Sequence, residues 1–297
     1  MKFKMLLITG TAAAMLLTGC QTTSNRTAAA NPPAAAGNQK MNAPDTKAVP
    51  PKKEKPAAVA KTEEKIAISD KVFTDAVDRF KSSKHFIVVA LGASNTERYM
   101  PGMHWLDVLE VGLRSRFGRK FHVIDSGISG NNTREALARF DRDVAFFKPS
   151  LVIVTLGGND CSTNPKKYVP EAEYRANLEK IATRIRDLGA IPVFQTYYKM
   201  DLEAMNPEQA KGFVRNMEIV RELAKQHNWN FVDHYAVFDR VKPNVHRYKL
   251  MLNPMHTNEA GNLLIGIELL RHFGVNPYKI PHVEKLLPAI HLRESLD

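Results

Sequence analysis

The chain has 297 residues, 44% of them hydrophobic, and a formal net charge of +11. A basic balance of this size suits nucleic acid or an anionic membrane surface as a partner. We expect no nucleic-acid partner, because the sequence has no zinc-finger spacing, no RNP-like motif and no Gly-rich phosphate loop. Of its two cysteines, Cys20 lies in a targeting segment and only Cys161 remains, which excludes an internal disulfide framework.

The first twenty residues have the pattern of an export signal. Two early lysines precede an apolar run from Met5 to Leu17, which is too short to span a membrane comfortably. The letters LLTGC at 16–20 resemble a bacterial lipobox, which implies cleavage before Cys20 and lipidation of its sulfur. The alternative is an ordinary secretory signal with a chance cysteine. We predict a lipoprotein signal over residues 1–20 and an exported protein anchored to the membrane rather than spanning it.

Residues 21–65 are predicted to be a disordered tether. They are rich in Ala, Pro, Thr, Asn and Lys and hold almost no large apolar residue, so they cannot bury enough surface to offset chain entropy. Gln21 stands where an aspartate would resemble an inner-membrane retention signal. In a cell with two membranes we therefore expect the outer one to hold the anchor.

From residue 66 onward, strands and helices alternate in one predicted folded domain, 66–297. The tail after Pro277 is predicted to be a peripheral strap, and 238–255 an irregular loop. In chain order, the predicted elements are a docking helix at 66–80, a strand at 85–91, a helix at 105–117, a strand at 121–125, a helix from about 134, a strand at 151–156, a helix at 174–188, a strand at 190–196, a long helix ending near 227, a strand at 230–233 and a last helix at 259–273.

This alternation predicts an α/β fold. Strands that are apolar throughout, as at 151–156, are typical of a parallel sheet covered on both faces. Five such strands predict a three-layer α/β/α sandwich with a five-stranded parallel sheet, of the flavodoxin-like kind.

Loops that carry polar residues follow three of the strands and precede the last helix. Ser94 comes after the first strand, Gly130 after the second and Asn159 after the third, while His256 stands just before the final helix. In a doubly wound sheet, the loops after such strands share one edge, where α/β folds build their sites. We predict that a nucleophile, a base and two hydrogen-bond donors converge there.

Four short segments carry a resemblance to a known family. They read GASNT at 92–96, SGISGNNT at 126–133, GGND at 157–160 and NPMHTN at 253–258. In this order, at these strand ends, they resemble the four blocks of the SGNH hydrolases, also called GDSL-type esterases and lipases. The resemblance runs from about His85 to Phe273.

The resemblance implies a serine esterase that needs no metal and no organic cofactor. It implies that Ser94 is the nucleophile and His256 the general base. It also implies an oxyanion hole made by the backbone N–H groups of Ser94 and Gly130 and the side-chain amide of Asn159.

Asn253 departs from the family pattern, which has an aspartate three residues before the histidine. Asparagine can accept a hydrogen bond from the imidazole and orient it, but it cannot stabilise an imidazolium by charge. In the serine proteases, replacing this aspartate by asparagine lowers kcat about 10⁴-fold through the wrong tautomer. The sequence leaves open whether Asn253 orients His256 or whether Asp233 or Asp239 supplies the acid.

The substrate is predicted from location and resemblance together. Aromatic residues in the variable loops, Trp105, Tyr197 and Tyr198, are candidates for binding a sugar ring or an acyl group; the alternative is that they cover the core. An exported SGNH protein is similar to bacterial esterases that deacetylate polysaccharides. We expect hydrolysis of short-chain acyl esters and, among them, of acetyl esters of carbohydrates. Acyl transfer to an envelope polysaccharide and a non-catalytic carbohydrate-binding role are the alternatives.

Overall fold

The computed structural model describes residues 72–99 and 101–297, all of which belong to the unit Lys55–Asp297. The predicted signal with Cys20, the tether at 21–65 and the first part of the docking helix lie outside the described residues. The expectations for them, and the domain boundary at residue 66, stay predictions. In the part of the chain that the structure describes, no helix is long and apolar enough to cross a membrane.

A five-stranded sheet with all strands parallel lies at the centre of the described fold, in the order β2-β1-β3-β4-β5. Its strands are β1 (Phe86–Gly92), β2 (Phe121–Gly127), β3 (Leu151–Thr155), β4 (Ile191–Gln195) and β5 (Asn230–Val232). β1 pairs with both β2 and β3, and the last residue of β1 is in register with the last residue of each neighbour. The loops that follow these three strands therefore leave the sheet side by side.

Both faces of this sheet are buried, as the apolar strands predict. Val88 and Ala90 pack into the core on one face, and Val89 and Leu91 pack into the core on the other. β3 is buried at all five positions and alternates in the same way. This two-sided burial explains why the strands read as continuous apolar runs.

The helices cover the two faces. They are α1 (Thr74–Ser82), α2 (Trp105–Phe117), α3 (Thr133–Ala138), α4 (Phe140–Asp143), α5 (Glu171–Asp187), α6 (Pro207–Gln226), α7 (His234–Asp239), α8 (Pro243–Val245), α9 (Glu259–His272) and α10 (Leu287–Glu294). Buried residues of α1, α2 and α9 pack on one face of the sheet, and those of α3 and α5 pack on the other. The predicted three-layer α/β/α sandwich is confirmed.

Several element boundaries differ from the predictions. β2 extends to Gly127, two residues beyond the predicted end, because it stays in register with β1 through Gly92. α5 begins at Glu171 rather than Tyr174, after Pro170, which has an extended backbone. The loop at 238–255 was predicted to be irregular, but it contains α8, a π-helical turn at His246–Leu250 and the strand β6 (Met251–Asn253). β6 pairs antiparallel with β7 (His256–Thr257).

The prediction of a peripheral strap after Pro277 was wrong. α10 packs against α9, and Ile290 is 1% exposed. The guanidinium of Arg293 forms a buried ion pair with Glu268 at 2.5 Å. It also pairs with the Asp297 carboxylate at 2.6 Å. Burial raises the pKa of Glu268, but the hydrogen bonds with His272 and Arg293 outweigh this effect and lower the pKa. Val283, Leu286, Leu287 and Ile290 recur at helical spacing, and this was the sequence signal from which the helix could have been predicted.

Candidate active site

The corner after β1 holds Ser94 at the carboxyl edge of the sheet. The backbone turns at once, with Thr96 N–H and Glu97 N–H both donating to the Ala93 carbonyl at 2.9 and 3.1 Å. A Cβ added at Gly92 would lie 2.0 Å from the Thr96 hydroxyl, so only glycine fits this close turn. Gly127 is required in the same way, because its Cβ would lie 2.2 Å from Glu97 N.

The hairpin of β6 and β7 brings His256 to Ser94, although 162 residues separate the two along the chain. His256 Nε2 lies 2.9 Å from Ser94 Oγ, and His256 Nδ1 lies 3.0 Å from Asn253 Oδ1. Asn253 and His256 are register partners in this hairpin. Ser94 and His256 are thus close enough for proton transfer.

Asn253 fixes the tautomer of the imidazole. Its Oδ1 accepts the backbone N–H groups of Met255 and His256, each at 2.9 Å. The amide oxygen, and not its NH₂ group, must therefore face His256 Nδ1, so Nδ1 carries the proton. Nε2 then presents a lone pair to the Ser94 hydroxyl, which is the tautomer that a general base requires.

Burial lowers the pKa of His256, and no carboxylate in the described part of the chain counters this effect. Asp233 and Asp239, the other candidate acids, have different partners. Asp233 pairs with Arg221 at 2.7 Å and caps α7, and Asp239 pairs with Lys199 at 2.7 Å. Of the three residues that the sequence left open, the structure places Asn253 against the imidazole.

Gly130 lies in the loop after β2 with φ of +76°, a conformation that favours glycine. Its carbonyl accepts a hydrogen bond from Lys167 Nζ at 3.2 Å, and Asn159 Nδ2 donates to the neighbouring Asn131 carbonyl at 2.9 Å. Among the described residues, the backbone N–H groups of Ser94 and Gly130 donate no hydrogen bond. One amide hydrogen of Asn159 also remains available. These three donors are free to receive a charged oxygen.

Arg139 holds the loops of this site together, and sequence reasoning missed it. It is buried and donates to the carbonyls of Gly92 and Ser126 at 2.8 and 2.9 Å and to Asn131 Oδ1 at 2.7 Å. Asp143 balances its charge at 3.0 Å. One guanidinium thus connects the ends of β1 and β2 to the loop that carries Gly130. In the sequence, Arg139 looks like any other cation of a charged helix.

Asp160 connects the loops after β2 and β3. Its buried Oδ1 accepts both the backbone N–H and the hydroxyl of Thr133, at 2.9 and 2.5 Å. Desolvation raises the pKa of Asp160 to about 6. Its position next to Asn159 in the third block was the sequence signal that could have identified it.

The predicted substrate-binding aromatic residues require a correction. Trp105, Tyr197 and Tyr198 are 1%, 2% and 2% exposed, so their rings lie in the core and offer no face to a ligand. Trp105 Nε1–H donates to the Asn95 carbonyl at 2.9 Å. The structure supports the alternative that the sequence had left open, in which these three rings cover the core.

Tyr198 instead connects the serine corner to the histidine loop. Its hydroxyl lies 2.7 Å from the Met255 carbonyl, contacts Asn95 Oδ1 and accepts the Thr257 N–H at 3.1 Å. Asn95 follows Ser94, while Met255 and Thr257 flank His256. The buried hydroxyl therefore helps to fix the distance between the Ser94 and His256 side chains.

Ser94 and His256 line a shallow depression together with Glu97, Tyr99 and His104. A cavity of about 530 Å³ lies between the loop at 160–169 and α6, and neither Ser94 nor His256 lines it. Within the described residues, no three His, Cys, Asp or Glu side chains group in a way that could hold a metal ion.

Comparison with known proteins identifies the class. The sequence model of the GDSL-like lipase/acylhydrolase family matches residues 90–264, more than half of the chain. The fold and this match define a carboxylic ester hydrolase. The chain belongs to the GDSL-like lipase/acylhydrolase family, so the resemblance to the SGNH hydrolases is confirmed.

Two curated relatives and one solved structure illustrate the similarity. An acetylxylan esterase of Geobacillus stearothermophilus is 27% identical over 51% of this chain and 72% of its own. An uncharacterized lipoprotein of Bacillus subtilis, YqeF, is 30% identical over 51% of this chain and 71% of its own. A crystal structure of a catalytic mutant of the Geobacillus esterase has a TM-score of 0.59 at 22% identity, covering 66% of this chain and 97% of that one.

Solved structures of the Geobacillus esterase include catalytic mutants in which a serine, an aspartate or a histidine is replaced by alanine. The aspartate and the histidine of that enzyme lie three positions apart. The same interval separates Asn253 and His256 in this chain.

Proposed function

We propose that this chain hydrolyses acetyl esters of carbohydrates, with Ser94 as the nucleophile and His256 as the general base. The observation that carries the proposal is the 2.9 Å contact between His256 Nε2 and Ser94 Oγ, with Nδ1 held by Asn253. The hydrogen-bonded pair also weighs against the alternative of a non-catalytic binding protein, since that role would not require it.

The reaction follows from the geometry. His256 Nε2 takes the hydroxyl proton as Ser94 Oγ attacks the ester carbonyl carbon, and a tetrahedral oxyanion forms. The N–H groups of Ser94 and Gly130 and the free amide hydrogen of Asn159 stabilise this oxygen. The protonated imidazole then gives its proton to the alcohol oxygen, which leaves. Water attacks the acetyl-serine by the same steps in reverse and releases acetate.

Each oxyanion donor is expected to contribute measurably. Loss of one such donor typically costs about 2.7–4 kcal/mol of transition-state stabilisation. For Asn159→Ala we therefore expect a fall in kcat of roughly 10²–10³-fold. The exposed Asn164, five residues along the same loop, provides a control substitution that leaves the site intact.

Asn253 orients the imidazole but supplies no negative charge to the imidazolium. The spacing of the catalytic aspartate and histidine in the Geobacillus esterase supports the assignment of Asn253 to the orienting position. Because the backbone holds its amide oxygen toward His256 Nδ1, the cost of a wrong tautomer does not arise here. We infer that the pair works at a lower rate than one oriented by a carboxylate.

Two features support acetyl esters of a carbohydrate as the substrate. One is the similarity to an acetylxylan esterase. The other is the shallow depression around Ser94, which offers little apolar depth for a long acyl chain.

Export and lipid anchoring at Cys20, followed by a tether over 21–65, form part of the same proposal. The similarity to a lipoprotein of Bacillus subtilis supports them. An anchor of this kind would hold the esterase at the cell envelope, where polysaccharides are accessible.

Acetate release from an acetylated xylan and from an aryl acetate tests the proposed function. We expect the purified protein to hydrolyse both, and Ser94→Ala to lower the rate by roughly 10³-fold or more. Ser115→Ala, a change at an exposed serine of α2, is the matched control and should leave the rate unchanged. Equal rates for the two variants would contradict the role of Ser94. Addition of an acceptor sugar separates hydrolysis from acyl transfer, because transfer would yield a new ester instead of acetate.

A further inference from the structure

Tyr99 is an exposed aromatic residue beside the reacting pair. Its side chain is 48% exposed, and it lines the same depression as Ser94 and His256. The centroid of its ring lies 6.4 Å from that of the His256 imidazole, and the two planes are nearly perpendicular. The core aromatic residues that the sequence favoured have no such access.

Described residues before and after Tyr99 in the chain make hydrogen bonds to other parts of the fold. Arg98 N–H donates to Asp125 at 2.7 Å, and the Arg98 guanidinium pairs with Asp107 at 3.0 Å. Further along, Met103 N–H donates to Glu259 at 2.8 Å. The contacts of Arg98 lower the ordering cost for a ligand that binds the neighbouring Tyr99 ring.

The direction of proton transfer decides which part of a substrate meets Tyr99. His256 Nε2 must deliver its proton to the alcohol oxygen, so the alcohol leaves on the His256 side of Ser94. The oxyanion donors hold the acyl carbonyl oxygen at Gly130 and Asn159. A ring packed against the imidazole therefore contacts the alcohol part of the ester and not the acyl part.

Glu97 adds a polar group to the same place. Its Oε2 accepts the backbone N–H of Ser129 at 2.9 Å and contacts the Ser129 hydroxyl. Among the described residues, Glu97 Oε1 has no hydrogen-bond partner. A carboxylate oxygen beside a flat aromatic face suits a sugar ring, whose C–H face is apolar and whose hydroxyls donate hydrogen bonds. The negative charge disfavours an acidic sugar.

We propose that Tyr99 and Glu97 form a binding subsite for the neutral sugar ring that leaves as the alcohol. This subsite rests on the proposed esterase function and specifies which part of the substrate the site recognises. It makes Tyr99 a determinant of alcohol specificity and leaves acyl specificity to other residues.

Two acetate esters with different alcohols test the subsite. Ethyl acetate has no ring to contact Tyr99, whereas an acetylated xylo-oligosaccharide has one. We expect Tyr99→Ala to lower kcat/KM about tenfold for the sugar ester and less than about twofold for ethyl acetate. Tyr99→Phe, which keeps the ring, should retain most of the activity on both.

Tyr168 provides the matched control. It is 49% exposed, lies in the cavity beside α6 and does not line the depression at Ser94. Tyr168→Ala should leave kcat/KM unchanged for both esters. The proposed subsite would be contradicted if Tyr99→Ala lowered kcat/KM equally for the two esters, or if Tyr168→Ala lowered it as much as Tyr99→Ala. Neither result would contradict the esterase function. A wild-type protein inactive on both esters would overturn both proposals.

Discussion

The Oδ1 atom of Asn253 lies 3.0 Å from Nδ1 of His256 and also accepts the backbone N–H groups of Met255 and His256. An amide stands where the family has a carboxylate, yet its orientation is fixed by the backbone. The imidazole is therefore oriented by Asn253, and none of the described carboxylates acts as its electrostatic partner. The first two predictions separate these two contributions.

Asn253→Asp adds the missing charge without changing the hydrogen bonds, because a carboxylate oxygen can accept the same three N–H groups. We expect kcat to rise about tenfold, since the carboxylate stabilises the imidazolium of the transition state. Steady-state kinetics on an aryl acetate measures the change. Asn258→Asp adds the same charge at the N-cap of α9 and is the control. A fall in kcat specific to Asn253→Asp would show that the neutral amide is required.

The pH dependence of kcat/KM reports the pKa of His256 in the free enzyme. Burial lowers this pKa, and the protonated imidazole cannot act as a base. Activity should therefore persist below pH 6.5 and fall only as the pH drops through the lowered pKa. In Asn253→Asp the acid limb should move to higher pH by roughly 1 unit or more. An acid limb above pH 6.5 in the wild-type protein would contradict this picture.

The protonation of His104 is expected to make the stability of the folded protein depend on pH. It caps α2 through Nδ1, and burial lowers its pKa to about 4. Because the unfolded chain takes up a proton near pH 6.5 and the folded protein does not, stability falls as the pH drops from 6.5 toward 4.

Denaturant unfolding at pH 7 and pH 4.5 measures this effect. His104→Asn keeps a capping oxygen and removes the titration. Between pH 7 and pH 4.5, the free energy of unfolding should fall by about 2–3 kcal/mol less in the variant than in the wild-type protein. His122→Asn, at an exposed position of β2, should behave like the wild-type protein. The same pH-dependent loss in His104→Asn and the wild-type protein would contradict the assignment.

We expect Arg139 to support catalysis by positioning the loop that carries Gly130, without contacting the substrate itself. Arg139→Lys keeps the charge but cannot reach Gly92, Ser126 and Asn131 at once. We expect kcat to fall about tenfold with little change in KM, because the loop of Gly130 loses its fixed position. Arg142→Lys is the matched control, since exposed Arg142 also pairs with Asp143. An unchanged kcat in Arg139→Lys would show that the loop is held by its other contacts.

The parts of the site that follow strand ends could be predicted from the sequence. Ser94, Gly130 and Asn159 stand at breaks after apolar runs, and the topology of a parallel sheet brings such breaks to one edge. The fold could be predicted because strands that are buried on both faces of a sheet are apolar at every position. Assignment of catalytic roles to these residues stays a proposal.

Other parts of the site depend on contacts that no local pattern records. The direction of the Asn253 amide is set by two backbone N–H groups of a hairpin whose first strand lies in the loop predicted to be irregular. Arg139 and Tyr198 act through buried hydrogen bonds to residues far away in the chain. Tyr99 is 48% exposed and Trp105 only 1%, a difference that no local sequence pattern records.

The most direct test of the central claim is covalent labelling of the full-length protein with a fluorophosphonate, followed by mass spectrometry. The reagent reacts with a serine only when a base activates it. We expect one adduct per chain, located on Ser94, with labelling lost in Ser94→Ala and strongly slowed in His256→Ala. An adduct on a different serine, or none on a protein that hydrolyses esters, would contradict the assignment of Ser94 and His256 as the reacting pair.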